Sequence, residues 1–434
     1  MKMMRFQKWY LLALQLVACS LLQAQLPLKE ELRSQTISSI KLYKVGNQEA
    51  YPVLPLNQQA GIELHFDDMQ QSSRNYYYTY VLCNADWTPV NLSSMDYIRG
   101  FSQVRINQYR FSTGTQSRYV HYQATLPASN CVPSRSGNYM LKVFENSDTS
   151  KLAFSKKILV VDNKATIATA MQQPFAQDKY LTHQKVKVNV TFKNIDILNP
   201  ARELKIVVMQ NNRWDNARLI SNPTFISGKV YEYSDENNMV FEAGKEWRWL
   251  DLRSFRLQSD RVASVNYNKT PYEVFVRPDT IRSPARYFYY SDIDGRYAIA
   301  NHEPVNPWWQ SDIARVHFTF LPRTPEMFTN QDIYLFGEMT QYQLNNSTRL
   351  QWNESMGVYE TTYMLKNGYY NYCYVTVPKN NPNAEPSIRL TEGSMWETEN
   401  DYRVLVYYTS FGSRSDELIG IAEFNSLNAL NIIR

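Results

Sequence analysis

Glycine is scarce in this sequence, since only 14 of its 434 residues are glycine, about 3% against a usual value of about 7%. Loops that cradle phosphate groups need glycine, because a backbone without Cβ can approach the ligand closely. The shortage therefore argues against a phosphate-binding loop. The net charge is also small, at +5 for the whole chain, which argues against binding to nucleic acid or to an anionic membrane surface.

The common catalytic signatures are missing as well. The sequence contains no Gly-x-Ser-x-Gly, His-Glu-x-x-His, P-loop or Cys-x-x-Cys motif. Its five histidines are scattered singly, without the spacing of a zinc site. Two acidic pairs, Asp67 with Asp68 and Asp292 with Asp294, lie where turns are expected, and Gly295 stands fourth instead of sixth as a calcium loop requires. We expect no catalytic residue, cofactor or metal ligand, and hence a protein that is not an enzyme.

Apolar runs long enough to cross a bilayer, about 20 residues, are lacking too. The longest uncharged apolar stretch covers residues 9–22 and follows three positive charges, Lys2, Arg5 and Lys8. This order is typical of an export signal. We therefore predict that residues 1–24 are a signal peptide. The mature chain would carry a formal charge of +2 without those three residues, and it would operate beyond the inner membrane.

Two processing routes fit this leader. Cleavage between Ala24 and Gln25 would follow a small residue, as signal peptidases require. Alternatively, residues 16–19 (LVAC) match a lipobox, at which the chain would be cut and acylated on Cys19.

Cysteine is rare in the mature chain, which keeps only Cys83, Cys131 and Cys373. Thiols of exported proteins can oxidise, so we predict a disulfide between Cys83 and Cys131, which share the N-terminal segment. The alternative is three buried free thiols, since free cysteine behaves as a small core hydrophobe.

Aromatic residues, by contrast, are abundant, with 32 tyrosines and 9 tryptophans. Short alternating runs of apolar and polar residues recur between clusters of Pro, Asn, Asp and Ser, which is the pattern of β-sandwiches. Residues 287–290 (YFYY) are one such predicted strand, and Asn367-Gly368 predicts a two-residue hairpin between two others. We predict an all-β protein of three tandem immunoglobulin-like or fibronectin-like sandwiches, over residues 25–162, 163–306 and 307–434.

Tryptophans outside the predicted strands are candidates for partner binding. Trp308 and Trp309 lie in the segment between the second and third predicted domains, and Trp396 lies in a loop of the third. Exposed aromatic side chains often anchor protein or sugar partners. The alternative is that these residues seal the joints between domains.

Several blocks in order along the mature chain carry a resemblance to a known family. They are residues 43–49 (YKVGNQE), 83–88 (CNADWT), 121–127 (HYQATLP), 136–144 (SGNYMLKVF), 210–215 (QNNRWD), 307–310 (PWWQ), 391–402 (TEGSMWETENDY) and 404–408 (VLVYY). Together they resemble the Bacteroidetes family of type IX secretion system plug proteins.

That resemblance implies a function that composition does not reveal. Plug proteins of this family bind the periplasmic opening of a large outer-membrane β-barrel translocon and seal it at rest. The resemblance therefore implies a periplasmic location at the inner face of the outer membrane, the translocon barrel as partner, and no catalysis.

A second resemblance concerns the third predicted domain alone. Residues 333–337 (IYLFG), 357–360 (GVYE) and 367–372 (NGYYNY) are similar to early-set immunoglobulin-like modules related to glycogen-binding domains. Such modules hold sugar on tryptophans beside a basic residue, whereas Tyr342 and Cys373 stand near those positions here. A glycan-binding protein of the periplasm or cell surface is thus the alternative function.

Overall fold

A computed structural model describes residues 26–429, and the predicted signal peptide, with Cys19, Ala24 and Gln25, lies outside the described residues. The regular secondary structure of residues 26–429 is almost entirely β-strand, which confirms the predicted all-β sandwich class. The helices are short: the α-helices are Pro200–Glu203 and Ser426–Ala429, and the 3-10 helices are Ser94–Asp96, Pro325–Phe328 and Glu338–Thr340.

The first sandwich is built from residues 37–161. One sheet has the strand order β1-β3-β8-β7, the facing sheet has the order β2-β11-β10-β4-β6, and β5 pairs with β9. Alternation explains the strands: Tyr76, Tyr78 and Tyr80 of β4 point into the core, while the residues between them are half-buried. The bounds are β1 Ile37–Lys44, β2 Val53–Pro55, β3 Ile62–Asp68, β4 Tyr76–Cys83, β5 Ile98–Gly100, β6 Gln103–Arg105, β7 Gln108–Phe111, β8 Val120–Leu126, β9 Cys131–Pro133, β10 Gly137–Glu145 and β11 Leu152–Val161.

Seventeen more strands follow before the last two of the chain. They are β12 Ala165–Gln172, β13 His183–Phe192, β14 Leu204–Gln210, β15 Arg218–Ile220, β16 Phe225–Ser227, β17 Val230–Tyr233, β18 Val240–Glu242, β19 Arg248–Asp251, β20 Val262–Asn266, β21 Tyr272–Val276, β22 Asp279–Thr280, β23 Tyr297–Ile299, β24 Ile313–Leu321, β25 Gln331–Phe336, β26 Gln351–Asn353, β27 Val358–Lys366 and β28 Gly368–Pro378, and then β29 Asp401–Tyr408 and β30 Glu417–Asn425.

The middle sandwich takes strands from two distant parts of the chain. One of its sheets has the order β12-β13-β17-β16 with β18 beside β13, and the other has the order β15-β14-β29-β30. Leu204 of β14 pairs with Tyr408 of β29, so the end of the chain completes a sheet begun nearly half a chain earlier. The third sandwich, β19 to β28, is therefore an insertion into the middle one.

This pairing corrects the boundary predicted between residues 306 and 307. Strands β19 to β23 lie before that boundary but pair within the third sandwich, while β29 and β30 lie after it and belong to the middle one. The sequence pattern assigns each strand to its neighbours along the chain, but hydrogen bonding and core packing join strands that are far apart in sequence. The number of independently folding units stays a prediction.

Strand β29 is buried on both faces. Tyr402, Val404 and Val406 pack into the core of the middle sandwich, whereas Leu405 and Tyr407 pack against the first sandwich beside Trp87, Met140 and Leu159. A strand covered on both faces reads as a continuous apolar run. The first and middle sandwiches thus share a second apolar core across their joint.

Two local predictions also need correction. Strands β27 and β28 meet at Asn367-Gly368 but do not pair; they belong to opposite sheets. The Asn367 side chain accepts a hydrogen bond from the Asp312 amide at 2.8 Å and donates one to the Leu252 carbonyl at 2.8 Å, which turns the chain from one sheet to the other. Residues 287–290 form no strand, because their tyrosines bond to other loops instead.

Candidate functional site

Four polar side chains from two sandwiches meet in a buried cluster, which we call the His-Asp-Lys cluster: His65, Asp67, His121 and Lys366. His65 and Asp67 lie two residues apart on β3 and so share a face, and Asp67 pairs in register with His121 of β8. Lys366 ends β27 of the third sandwich. The structure thus unites two histidines that look isolated in sequence.

The bonds of this cluster form a continuous chain. His65 Nδ1 lies 3.0 Å from His121 Nε2, His121 Nδ1 lies 2.8 Å from Asp67 Oδ1, and Lys366 Nζ donates to Asp67 Oδ2 at 2.6 Å. One neutral tautomer of each ring, with the proton on Nδ1, satisfies both histidine bonds. Every member has a partner, and Lys366 also lies 4.1 Å from the centre of the Tyr119 ring.

Burial sets the protonation states of the cluster. It lowers the pKa of His65 to about 3 and also lowers the pKa of His121, so both rings are neutral near pH 7. Burial opposes ionisation of Asp67, but Lys366 and His121 together lower its pKa, which leaves it a carboxylate. The cluster is a neutral ring pair beside a buried ion pair, and it clamps the first sandwich to the third.

The three tryptophans predicted to bind a partner all pack against other residues. Trp308 stacks on His65 with ring centres 3.8 Å apart and so covers the cluster. Trp309 lies under the Arg110 guanidinium at 4.8 Å. Trp396 packs on the core of the middle sandwich and donates its backbone N–H to Leu181. These contacts match the alternative that they seal joints; partner binding by them stays a prediction.

The two cysteines of the predicted disulfide are apart and free. Cys83 packs in the joint between the first and middle sandwiches, whereas Cys131 packs in the core of the first. All three thiols are buried and unbonded to one another. The structure therefore corrects the disulfide in favour of the alternative, because the two side chains face different cores.

The two positions at which the related modules hold sugar are covered in this protein. Cys373 is buried, and Tyr342 is half-buried beside the Arg213 guanidinium of the middle sandwich, 5.9 Å from its ring centre. A sugar platform needs an open aromatic face. The contacts of the third sandwich leave none at these residues.

Three exposed aromatic side chains lie on loops at the joint of the middle and third sandwiches. Phe175 is 82% exposed, Phe288 is 71% exposed and Tyr289 is 58% exposed. Their loops are tied together, since Tyr287 donates to the Glu397 carbonyl and Trp396 donates to Leu181, which is itself 64% exposed. We call Phe175, Leu181, Phe288 and Tyr289 the aromatic loop surface. Sequence reasoning missed it because residues 287–290 read as a strand.

Among residues 26–429, no helix has the length and apolar character that a membrane crossing requires.

The comparisons with known proteins agree with this architecture. A solved structure of a hypothetical protein from Parabacteroides merdae is similar over 92% of this chain and 100% of its own, with 30% identity and a TM-score of 0.87. No curated protein matches the chain. A family model described as type 9 secretion system plug protein, first domain, matches residues 37–162, which include the whole first sandwich.

That match confirms the family resemblance found in the sequence. It indicates a component of the type IX secretion system that associates with the secretion machinery, in the periplasm or at the outer membrane. The chain belongs to the type IX secretion system plug protein family.

Proposed function

We propose that this protein is a non-enzymatic stopper: it binds the periplasmic opening of the outer-membrane translocon barrel and closes it at rest. It would work at the inner face of the outer membrane. The observation that carries the proposal is the interlocking of the three sandwiches, taken together with the family match.

A stopper must resist force as one body. Sandwiches joined by flexible linkers would move independently, as domains with small interfaces do. Here the middle sandwich is completed only after the third has been inserted, and the first packs on β29 through a shared apolar core. The Lys366–Asp67 ion pair then ties the third sandwich to the first. Each sandwich is thus held by both others.

The aromatic loop surface offers a contact for the barrel. Protein interfaces are enriched in aromatic anchors set among polar residues. Phe288 and Tyr289 are exposed although the chain has packed most of its tyrosines away. The reactive side chains of the His-Asp-Lys cluster are fully engaged in structure, which is consistent with a function that requires no catalysis.

The test is co-purification of the tagged full chain from native envelopes, with permeability to large solutes as a second readout. We expect the translocon barrel to be retained, and we expect deletion of the protein to make the outer membrane leaky. The double variant F288S/Y289S should lose the barrel, because truncating an interface anchor costs about 2 kcal/mol or more.

Phe411 provides the matched control, since it is 94% exposed on the loop between β29 and β30. F411S should retain the barrel. Equal retention by both variants would move the interface elsewhere, and absence of the barrel from every preparation would reject the stopper function.

A further inference from the structure

Three carboxylates from two sandwiches converge beside the joint of the middle and third sandwiches. Asp292 and Asp294 lie in the turn before β23, and Glu399 lies just before β29. One oxygen of each lies within 4.8 Å of the others. The turn is fixed by positive φ angles at Asp294 and Gly295, and the Trp247 ring packs directly on Gly295.

One oxygen of this group has no hydrogen-bond partner among residues 26–429. Asp294 is 3% exposed, and its Oδ1 is buried without a hydrogen bond in the described part of the chain. Its Oδ2 takes only a 3.2 Å bond from Arg296. Leaving a carboxylate oxygen buried and unpaired is costly, so a cation or a proton is needed there.

The neighbouring groups do not supply enough positive charge. Arg296 is shared between Asp294 and Asp401, the fourth carboxylate nearby. Glu399 takes a hydrogen bond from the neutral Asn425 amide.

We propose that Asp292, Asp294 and Glu399 bind a divalent cation, calcium, that bridges the third sandwich to the middle one. An all-oxygen ligand set suits a hard cation. Calcium ligands lie about 2.3 to 2.6 Å from the ion in a flexible geometry, so two of them can be up to about 5.2 Å apart. Oxygens that lie within 4.8 Å of one another satisfy this limit. Water would complete the coordination.

The experiment uses the mature full-length protein, stripped with a chelator. Calcium should bind saturably in calorimetry and should raise Tm by roughly 5 °C at saturation. Terbium should bind in its place and luminesce when Trp247 is excited, since that ring contacts the turn. Magnesium should shift Tm less than calcium does.

Variants separate a bound cation from a shared proton. D294N and E399Q should each lose the calcium shift and the terbium signal, and the second variant guards against misfolding of the first. D148N, at an exposed acid far from the joint, should keep both. The proposal is overturned if wild type shows no saturable calcium binding, or if D294N and E399Q retain the shift.

Discussion

The first–third joint and the middle–third joint both bury charge, but they balance it differently. At the His-Asp-Lys cluster, Asp67 has a lysine and a histidine within 2.8 Å, and both of its carboxylate oxygens accept hydrogen bonds. At the acidic group, Arg296 pairs with only Asp294 and Asp401 of the four carboxylates, and Asp294 Oδ1 has no hydrogen-bond partner among residues 26–429. At the first–third joint, side chains of the protein balance the buried charge. The middle–third joint needs a further positive charge.

We expect the largest loss of stability from the removal of Lys366 at the first–third joint. K366M would leave Asp67 buried beside neutral histidines, and breaking one half of a buried ion pair typically costs about 3 to 5 kcal/mol. We expect that loss in the free energy of unfolding, measured by denaturant titration. K151M is the matched control, because the Lys151–Asp148 pair spans 3.8 Å at the surface and should contribute less than about 1 kcal/mol. Similar losses in both variants would contradict a clamp at Lys366.

Acid should weaken the joint built on histidine. His65 binds its proton only near pH 3 when folded, but near its ordinary pKa of about 6.5 when unfolded, so stability is lost as pH falls below about 6.5. At pH 5.5 this linkage amounts to about 1.4 kcal/mol. We expect wild type to lose that much more than H65Q between about pH 7.5 and 5.5. If the stability of wild type and of H65Q fell in parallel with pH, His65 would titrate near its ordinary pKa.

Burial raises the pKa of Asp294 and of Glu246 at the middle–third joint, so acid should change the stability of this joint in the opposite direction. A carboxyl whose folded pKa is raised binds its proton first in the folded state, so metal-free protein gains stability as pH falls from about 7 toward 4.5. D294N removes one such charge and should stabilise metal-free protein by about 1 kcal/mol at pH 7.5. It should also gain less than wild type on acidification. If D294N were less stable than wild type in the presence of a chelator, the charge of Asp294 would already be neutralised by its neighbours.

The sequence predicts the strands of both joints better than their contacts. The sequence pattern predicts strands over residues 76–82, 139–144 and 369–377, and β4, β10 and β28 match these ranges closely. Strands can be located in this way because neighbouring residues alternate between the inward and outward faces. No pattern in neighbouring residues indicates that Leu204 pairs with Tyr408. Asn367-Gly368 has the composition of a hairpin, yet the side-chain bonds of Asn367 direct the chain into the opposite sheet.

The same limit applies to the two polar groups. The turn at Asp292 and Asp294 is predicted correctly. The third carboxylate, Glu399, joins them although it follows the whole inserted sandwich in sequence. His65 and His121 look single because β3 and β8 are separated by four other strands along the chain. Both groups depend on which strands become neighbours, which a single sequence does not specify.

We expect the smallest effect from a change at Trp308, whose ring covers His65 at the first–third joint. W308F keeps an aromatic face over His65 but reduces the stacking area, so we expect a loss of about 0.5 kcal/mol in the free energy of unfolding. Barrel retention should be unchanged if Trp308 only seals the joint. Normal stability with lost retention would instead assign Trp308 to the partner surface, as its position between predicted domains first indicated. That result would mean that the cluster beneath the ring is stable without its cover, which its complete set of bonds would explain.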